Sequence, residues 1–217
     1  MGLPQMRKGL VMAGVLQVPL GHPEKPQGED GVRLLERMNG GHHESLALWG
    51  LDHIGIAVDA RVLDIGCGGG ANIRRLLDRA SEGTVFGLDY SPLSVQASRE
   101  HNRAAIEAGR CQVFEGDSSS LPFEDDSFDV VTAFETVYYW NLKAAFAEVR
   151  RVLATDGRFL ICNEDNGRDP HMLEFAKKVP NMTMHTPEEL IAALREAGFA
   201  ETSLDEKESG DFALVAW

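Results

Sequence analysis

Residues 62–70 read Val-Leu-Asp-Ile-Gly-Cys-Gly-Gly-Gly, an apolar run with one carboxylate that leads into a glycine-rich turn. The apolar part is typical of the end of a buried parallel strand. Glycines at 66, 68 and 70 allow the backbone to turn sharply and to approach a ligand with no Cβ in between. Residues 71–80 continue at helical spacing, so the turn opens a helix whose first N–H groups can face a ligand.

A second apolar run ends at Gly87-Leu88-Asp89-Tyr90, so that an acid follows the glycine turn after about 20 residues. A carboxylate at this distance is placed to accept hydrogen bonds from both hydroxyls of a ribose. A third run, at residues 111–114, is followed by Glu-Gly-Asp-Ser at 115–118, which offers polar groups to a base. Together these segments predict a site for a nucleoside-containing cofactor.

Two kinds of cofactor fit this spacing. Gly66, Gly68 and Ala71 satisfy the dinucleotide fingerprint of nicotinamide oxidoreductases, a pattern that is weak on its own. Asp64 lies two residues before the turn, where a carboxylate would repel a pyrophosphate and attract an ammonium group. A third interpretation is a catalytically silent protein that retains the pocket and binds the cofactor or a partner.

A fourth strand is predicted at the end of residues 121–131, which read LPFEDDSFDVV. With these segments the chain resembles the class I S-adenosylmethionine-dependent methyltransferases, specifically the type 11 domain group that acts on small molecules. The resemblance covers residues 61–161 densely and 186–199 more loosely. It implies an α/β fold with a Rossmann-like, doubly wound, seven-stranded sheet, mostly parallel with an antiparallel C-terminal hairpin. It also implies S-adenosylmethionine as methyl donor, S-adenosylhomocysteine as product and a small-molecule acceptor.

The order of secondary structure agrees with that fold class. Strand and helix patterns alternate from Arg61 onward, which predicts right-handed crossovers and a parallel sheet. Strands are expected near 61–66, 84–89, 111–115, 128–134 and 157–163, and helices near 70–80, 92–108, 141–153 and 186–197. Asp156-Gly157 is expected to form a turn between helix and strand. Residues 199–206 and 211–217 are typical of a hairpin at the edge of the sheet.

One methyltransferase domain is expected over residues 31–217. Residues 1–30, rich in Pro and Gly, are predicted to be a poorly ordered leader, and Met12 is a second candidate for the start of the protein. Residues 31–58 carry two short helical patterns and are predicted to form a lid. The catalytic core then covers residues 61–217.

The resemblance assigns cofactor roles position by position. The expected cofactor-binding residues are Asp64, Gly66, Cys67, Gly68, Gly70, Asp89, Tyr90, Asp117, Ser118, Phe134 and Glu135. In this set Asp64 fixes the amino end of the methionine part directly or through water, Asp89 binds the ribose and Tyr90 covers the adenine. Phe134 and Glu135 follow the fourth strand and are expected to line the methyl-donor side.

The catalytic residues are less clearly marked, because methyl transfer depends mainly on alignment of the reacting atoms. Tyr138 and Tyr139 follow the fourth strand, where either hydroxyl could act as a base or either ring could face a cation. Packing at a helix start is the alternative for both. His43, in the predicted lid, is a candidate general base near neutral pH or part of a solvated turn. The histidines show no H-x-x-x-H or comparable spacing, so no metal is expected.

The charge and composition of the chain argue against some classes of binding partner. The formal net charge is −13, whereas binding to nucleic acid normally needs a basic face. Residues 135–140 also lack the Asp/Asn-Pro-Pro-aromatic signature of enzymes that methylate base amino groups. Three cysteines without regular spacing are typical of reduced thiols in the cytoplasm. No apolar run reaches the length that spans a membrane, so a soluble, cytoplasmic monomer or homodimer is expected.

Overall fold

The computed structural model describes residues 22–40 and 42–217, and a seven-stranded sheet forms the centre of that part of the chain. Its strands are β1 (Arg61–Ile65), β2 (Thr84–Asp89), β3 (Cys111–Glu115), β4 (Phe128–Phe134), β5 (Leu153–Asn163), β6 (Thr202–Glu206) and β7 (Phe212–Ala216). The strand order is β3-β2-β1-β4-β5-β7-β6. The pairs from β3 to β5 are parallel, and β7 is antiparallel to both β5 and β6. The predicted doubly wound sheet with its C-terminal antiparallel hairpin is confirmed.

Helices connect and cover these strands. They are α1 (Gly28–Met38), α2 (His42–Leu51), α3 (Ala71–Arg79), α4 (Pro92–His101), α5 (Arg103–Glu107), α6 (Leu142–Val152), α7 (Pro170–Ala176) and α8 (Pro187–Glu196), with a 3-10 turn at Val137–Tyr139. Helix α1 begins at Gly28, three residues before the predicted lid segment, and α2 lies within that segment. The first 21 residues of the predicted leader, with Met12, lie outside the described residues. Among the described helices, none is both long and apolar enough to cross a membrane.

Three details differ from the sequence prediction. The helix predicted over 92–108 is interrupted at Asn102, whose amide binds the Ser98 carbonyl and competes with the helical ladder. The turn predicted at 156–157 is wrong, because β5 already begins at Leu153, which pairs with Phe128 across a shift in register. Helix α7 lies in a stretch where no element was predicted.

The two faces of the sheet bury separate apolar layers. Neighbouring residues of a strand point to opposite faces, and Val62 and Leu63 of β1 belong to two different core clusters. The Val62 cluster includes apolar residues of α2, α3 and α4, whereas the Leu63 cluster includes those of α6 and α8. Because both faces are covered, the strands read as nearly continuous apolar runs.

Strand β1 lies where the sheet changes its direction of winding. Its neighbours are β2 on one side and β4 on the other, and ligands of open α/β sheets bind beyond the carboxyl ends of the strands at such a switch point. The glycine turn follows β1, Asp89 ends β2 and Glu135 follows β4. The topology therefore brings segments that are far apart in sequence to one edge of the sheet.

A single carboxylate is buried in β1. Asp64 is only 1% exposed, and its Oδ1 accepts a hydrogen bond of 2.7 Å from the Thr132 hydroxyl of β4. Burial raises the pKa of Asp64 to about 7, because the charged form loses hydration that one hydroxyl does not replace. The folded protein thus holds this proton at pH values where the unfolded chain has lost it.

We predict that Asp64→Asn removes a pH-dependent loss of stability. Between the ordinary aspartate pKa of about 4 and the folded value, the folded state binds more protons, so the free energy of unfolding falls as the pH rises. The free energy of unfolding of the variant, relative to that of the wild type, should therefore be up to about 4 kcal/mol higher at pH 8 than at pH 4. Urea unfolding at both pH values measures this gain.

Asp78→Asn serves as the control, since the Asp78 side chain is 70% exposed. It should unfold like the wild type at both pH values. An Asp64→Asn effect of equal size at pH 4 and pH 8 would contradict the assignment of the raised pKa to Asp64.

Candidate functional site

The glycine turn after β1 is fastened to the end of β2. The N–H groups of Gly66 and Cys67 donate to the Leu88 carbonyl at 2.7 and 3.1 Å. Gly66 has a φ of +76°, and a Cβ at this position would lie 2.2 Å from the Thr136 hydroxyl oxygen. Both the backbone conformation and the close approach of Thr136 therefore require glycine.

Asp89 connects this turn to the next helix. Its Oδ2 accepts from the Gly68 N–H and its Oδ1 from the Ser91 N–H, each at 2.9 Å. Burial raises the pKa of Asp89, and the two N–H groups oppose that shift. An ionised carboxylate has about four acceptor positions, so two backbone bonds leave Asp89 able to accept bonds from a ligand as well.

A cavity of about 330 Å³ opens at this junction, within the usual size range of ligand pockets. Of the predicted cofactor-binding residues, eight line it: Gly66, Gly68, Asp89, Tyr90, Asp117, Ser118, Phe134 and Glu135. Gly68 has a φ of +52° and no atom within 4 Å of where a Cβ would project. The cavity can therefore receive a ligand against the bare backbone of the turn.

A smaller cavity of about 50 Å³ has Gly66, Gly68, Phe134 and Glu135 in common with the main cavity. Its wall also contains Cys67 and His43, the latter from the first turn of α2. Cys67 is buried, and burial raises the pKa of its thiol, so the group stays protonated. The three cysteines are all free and buried.

Two predicted cofactor residues line neither of these cavities. Asp64 lies below the turn in β1, against Thr132. Gly70 is the N-cap of α3, with a φ of +84°, and its carbonyl accepts from the buried Asn102 amide at 3.0 Å. Asp64 therefore precedes the turn and Gly70 ends it, and neither borders the two cavities.

The two candidate tyrosines have different surroundings. Tyr139 lines the main cavity, whereas Tyr138 is buried, with its hydroxyl 3.5 Å from Glu135 Oε1. Burial raises the pKa of both phenols. At neutral pH both are protonated, so each can donate a hydrogen bond.

Glu24 is a cavity residue that the sequence prediction missed. Its side chain is 4% exposed, and its Oε1 accepts from His22 Nδ1 at 2.9 Å and from the Asn181 amide at 3.1 Å. Its Oε2 is buried with no hydrogen-bond partner among the described residues. Glu24 lies in a Pro- and Gly-rich stretch without periodicity, so no signal in the sequence marked it.

The N-terminal segment covers the glycine turn. The Asn39 amide donates to the Gly69 carbonyl at 3.1 Å, and the Lys25 ammonium lies 5.3 Å from the centre of the Tyr90 ring. Together with Glu24, these contacts close one side of the main cavity. They depend on tertiary structure, because the residues they join are more than 20 positions apart in the chain.

The lining of the main cavity is acidic. Four carboxylates border it, those of Glu24, Asp89, Asp117 and Glu135, and within the described part of the chain no Lys, Arg or His does. Such a pocket attracts cations and repels a pyrophosphate. The residues present therefore fit a nucleoside that carries positive charge better than they fit a dinucleotide.

Comparisons with known proteins agree with this geometry. The model of the type 11 methyltransferase domain matches residues 63–161. Sterol 24-C-methyltransferase erg-4 of Neurospora crassa is 30% identical over 158 residues, which is 67% of this chain and 41% of that protein. The chain spans less than two thirds of the length of the first curated relatives that it matches.

Solved structures share the fold. A Haloferax volcanii methyltransferase in complex with the Trm112 methyltransferase activator has a TM-score of 0.73 and 25% identity, covering 84% of this chain and 92% of that chain. A geranyl diphosphate methyltransferase in complex with S-adenosylmethionine has a TM-score of 0.69 and 16% identity, covering 91% and 92%. By sequence and by fold, this chain belongs to the class I S-adenosylmethionine-dependent methyltransferases.

Proposed function

We propose that this chain transfers a methyl group from S-adenosylmethionine to a small-molecule acceptor. The observation that carries the proposal is the junction of Gly68 and Asp89, where a buried carboxylate and a bare glycine backbone border the same cavity. A carboxylate at the end of β2 suits the two ribose hydroxyls of a nucleoside. The acidic lining then favours a cationic nucleoside over a dinucleotide.

Binding roles follow from position along the cavity. Asp89 accepts from the ribose, the Gly66–Gly68 backbone borders the methionine part, and Tyr90 lies beside the adenine. Asp117 and Ser118 offer polar groups to the base edge. Asp64 acts indirectly, since a bound ammonium group would favour its ionised form through the intervening backbone or water.

When bound, S-adenosylmethionine supplies an electrophilic methyl group on a sulfonium centre. The protein holds the acceptor in line with that group, and alignment of this kind supplies about 7–11 kcal/mol of a barrier. Phe134, Trp140 and Met38 line the cavity and exclude water from it. Tyr139, protonated at neutral pH, positions the acceptor by donating a hydrogen bond.

The acceptor we propose is uncharged or cationic. Four carboxylates around the cavity would repel a carboxylate or phosphate. Curated relatives named as sterol methyltransferases support an apolar, uncharged acceptor. Incubation with methyl-labelled cofactor and a panel of uncharged, cationic and anionic metabolites should label compounds of the first two classes only.

Asp89→Asn should weaken the binding of S-adenosylhomocysteine about tenfold or more, because a hydrogen bond to a charged group contributes about 1.5–3 kcal/mol. Isothermal titration calorimetry of the folded variant and the wild type measures the change. Asp156→Asn is the matched control, since Asp156 is exposed and lies outside the main cavity.

Equal affinity of Asp89→Asn and wild type would mean that the ribose lies elsewhere. Titration with NAD tests the rival cofactor in the same samples. Binding of NAD without binding of S-adenosylmethionine or S-adenosylhomocysteine would overturn the proposed function in favour of an oxidoreductase.

We assign Glu24 to the cofactor site as well. A buried carboxylate oxygen without a partner costs about 1–3 kcal/mol, and Glu24, whose Oε2 is such an atom, lines the cavity near Tyr90 and Tyr139. A hydroxyl or ammonium group of the bound cofactor supplies the missing donor. His22 and Asn181 hold the other oxygen, so the carboxylate is already oriented before the ligand arrives.

Glu24→Gln should weaken S-adenosylhomocysteine binding by about threefold to thirtyfold, since the amide loses the charge-assisted part of a bond worth about 1.5–3 kcal/mol. The same calorimetry measures it. Glu29→Gln is the control, because Glu29 lies on the same segment with its side chain 92% exposed. Unchanged affinity in Glu24→Gln would remove Glu24 from the cofactor site and leave the role of Asp89 intact.

A further inference from the structure

Three side chains from separate parts of the fold converge beside the main cavity. His43 comes from the first turn of α2, Glu135 follows β4 and Glu164 follows β5. One ring nitrogen of the histidine and one oxygen of each carboxylate all lie within 4.8 Å of one another. All three residues are half-buried. One metal ion could therefore contact all three after small side-chain rotations.

The two carboxylates repel each other. One oxygen of Glu135 and one oxygen of Glu164 lie within 4.8 Å of each other. Like charges at this separation in a partly dehydrated place are unfavourable. A divalent cation between them would offset this repulsion.

The Glu135 side chain is already oriented for such a contact. Its Oε1 accepts from the Glu164 backbone N–H at 2.5 Å. A carboxylate has about four acceptor positions, so this bond fixes the group and leaves positions for an ion. The backbone of Glu164 thus orients one candidate ligand while its side chain supplies another.

Space for an ion adjoins the cluster. The smaller cavity, of about 50 Å³, has both His43 and Glu135 in its wall. A volume of about 10–15 Å³ accessible to a water probe is enough for one water molecule. The cavity can therefore hold the ion together with bound water. Asn39 and Asn72 add polar groups to its wall, and the Arg75 guanidinium adds a positive charge there.

We propose that His43, Glu135 and Glu164 form a binding site for a divalent transition-metal ion next to the cofactor cavity. One imidazole nitrogen with two carboxylates suits Mn²⁺, Fe²⁺ or Zn²⁺ better than Mg²⁺ or Ca²⁺, which prefer oxygen ligands alone. No metal was expected from the spacing of the histidines. Such spacing rules detect only ligands close together in sequence, whereas these three span more than 100 residues.

The position of the site suggests its use. Glu135 lines the main cavity as well as the smaller one, so an ion held there would lie next to the place of methyl transfer. Such an ion would bind a methyl acceptor through a hydroxyl or another oxygen atom. This use rests on the proposed function, whereas the binding of the ion does not. Metal binding is therefore tested without cofactor or acceptor.

The test is a titration of the full, chelator-treated chain with MnCl₂, followed by the electron paramagnetic resonance signal of free Mn²⁺. We expect one Mn²⁺ per chain in the wild type. His43→Ala and Glu164→Gln should each weaken binding about tenfold or more, since even loss of an outer-shell partner of a metal ligand costs about 10–100-fold. Matched controls are His101→Ala and Glu201→Gln, both at exposed positions, which should bind like the wild type.

The alternative is that the His43 side chain bridges the two carboxylates and no ion binds. In that case folded wild-type protein would bind Mn²⁺ no more tightly than about 1 mM, the weak end for protein cation sites, and the proposal would be overturned. Equal weakening by the control variants would overturn it too. Circular dichroism checks that each variant is folded. The wild-type titration decides the question even if one variant does not fold.

Discussion

The fastening of the glycine turn to the end of β2 is the constraint on which the site depends. The Leu88 carbonyl accepts hydrogen bonds from two N–H groups of the turn, and the Asp89 carboxylate accepts a third from the Gly68 N–H. These bonds satisfy buried backbone groups that the sharp turn withdraws from water. They also fix the distance between the turn and the carboxylate, and that distance determines which ligand fits.

Packing behind the turn makes this geometry rigid. The Asn102 amide donates a hydrogen bond to the Gly70 carbonyl, and the Thr136 side chain packs closely against Gly66. Asn102 interrupts a helix to do so. The N-terminal segment then adds Asn39 against Gly69. Each of these contacts comes from a different element, so the turn is shaped by the fold around it as much as by its own glycines.

Charge is concentrated where the elements meet. Asp89, Glu135 and Glu24 come from three parts of the chain and border one cavity. Each carboxylate by itself would be easily hydrated, but together and half-enclosed they create a negative potential. That potential suits a sulfonium nucleoside in the main cavity, and on our proposal it also suits a metal ion beside it.

Much of the fold could be read from local patterns. Alternating apolar runs and helical spacing gave β1 to β4 within about one residue, because strands buried on both faces have an unmistakable composition. The start of β5 was misplaced, since its first residues pair with Phe128 across an irregular register that no local pattern encodes. Helix α7 and the break at Asn102 were missed for the same reason, as each depends on contacts made after folding.

The sequence by itself determined the order of the strands along the chain, the glycine turn and the acid at the end of β2, since these depend on local periodicity and backbone freedom. Tertiary structure alone decided that Asp64 lines neither cavity, that Tyr139 and not Tyr138 lines the main cavity, and that Glu24 completes its wall. It also brought His43, Glu135 and Glu164 together. The physical reason is that side-chain contacts between distant segments depend on how layers pack, and packing leaves no periodic signal along the chain.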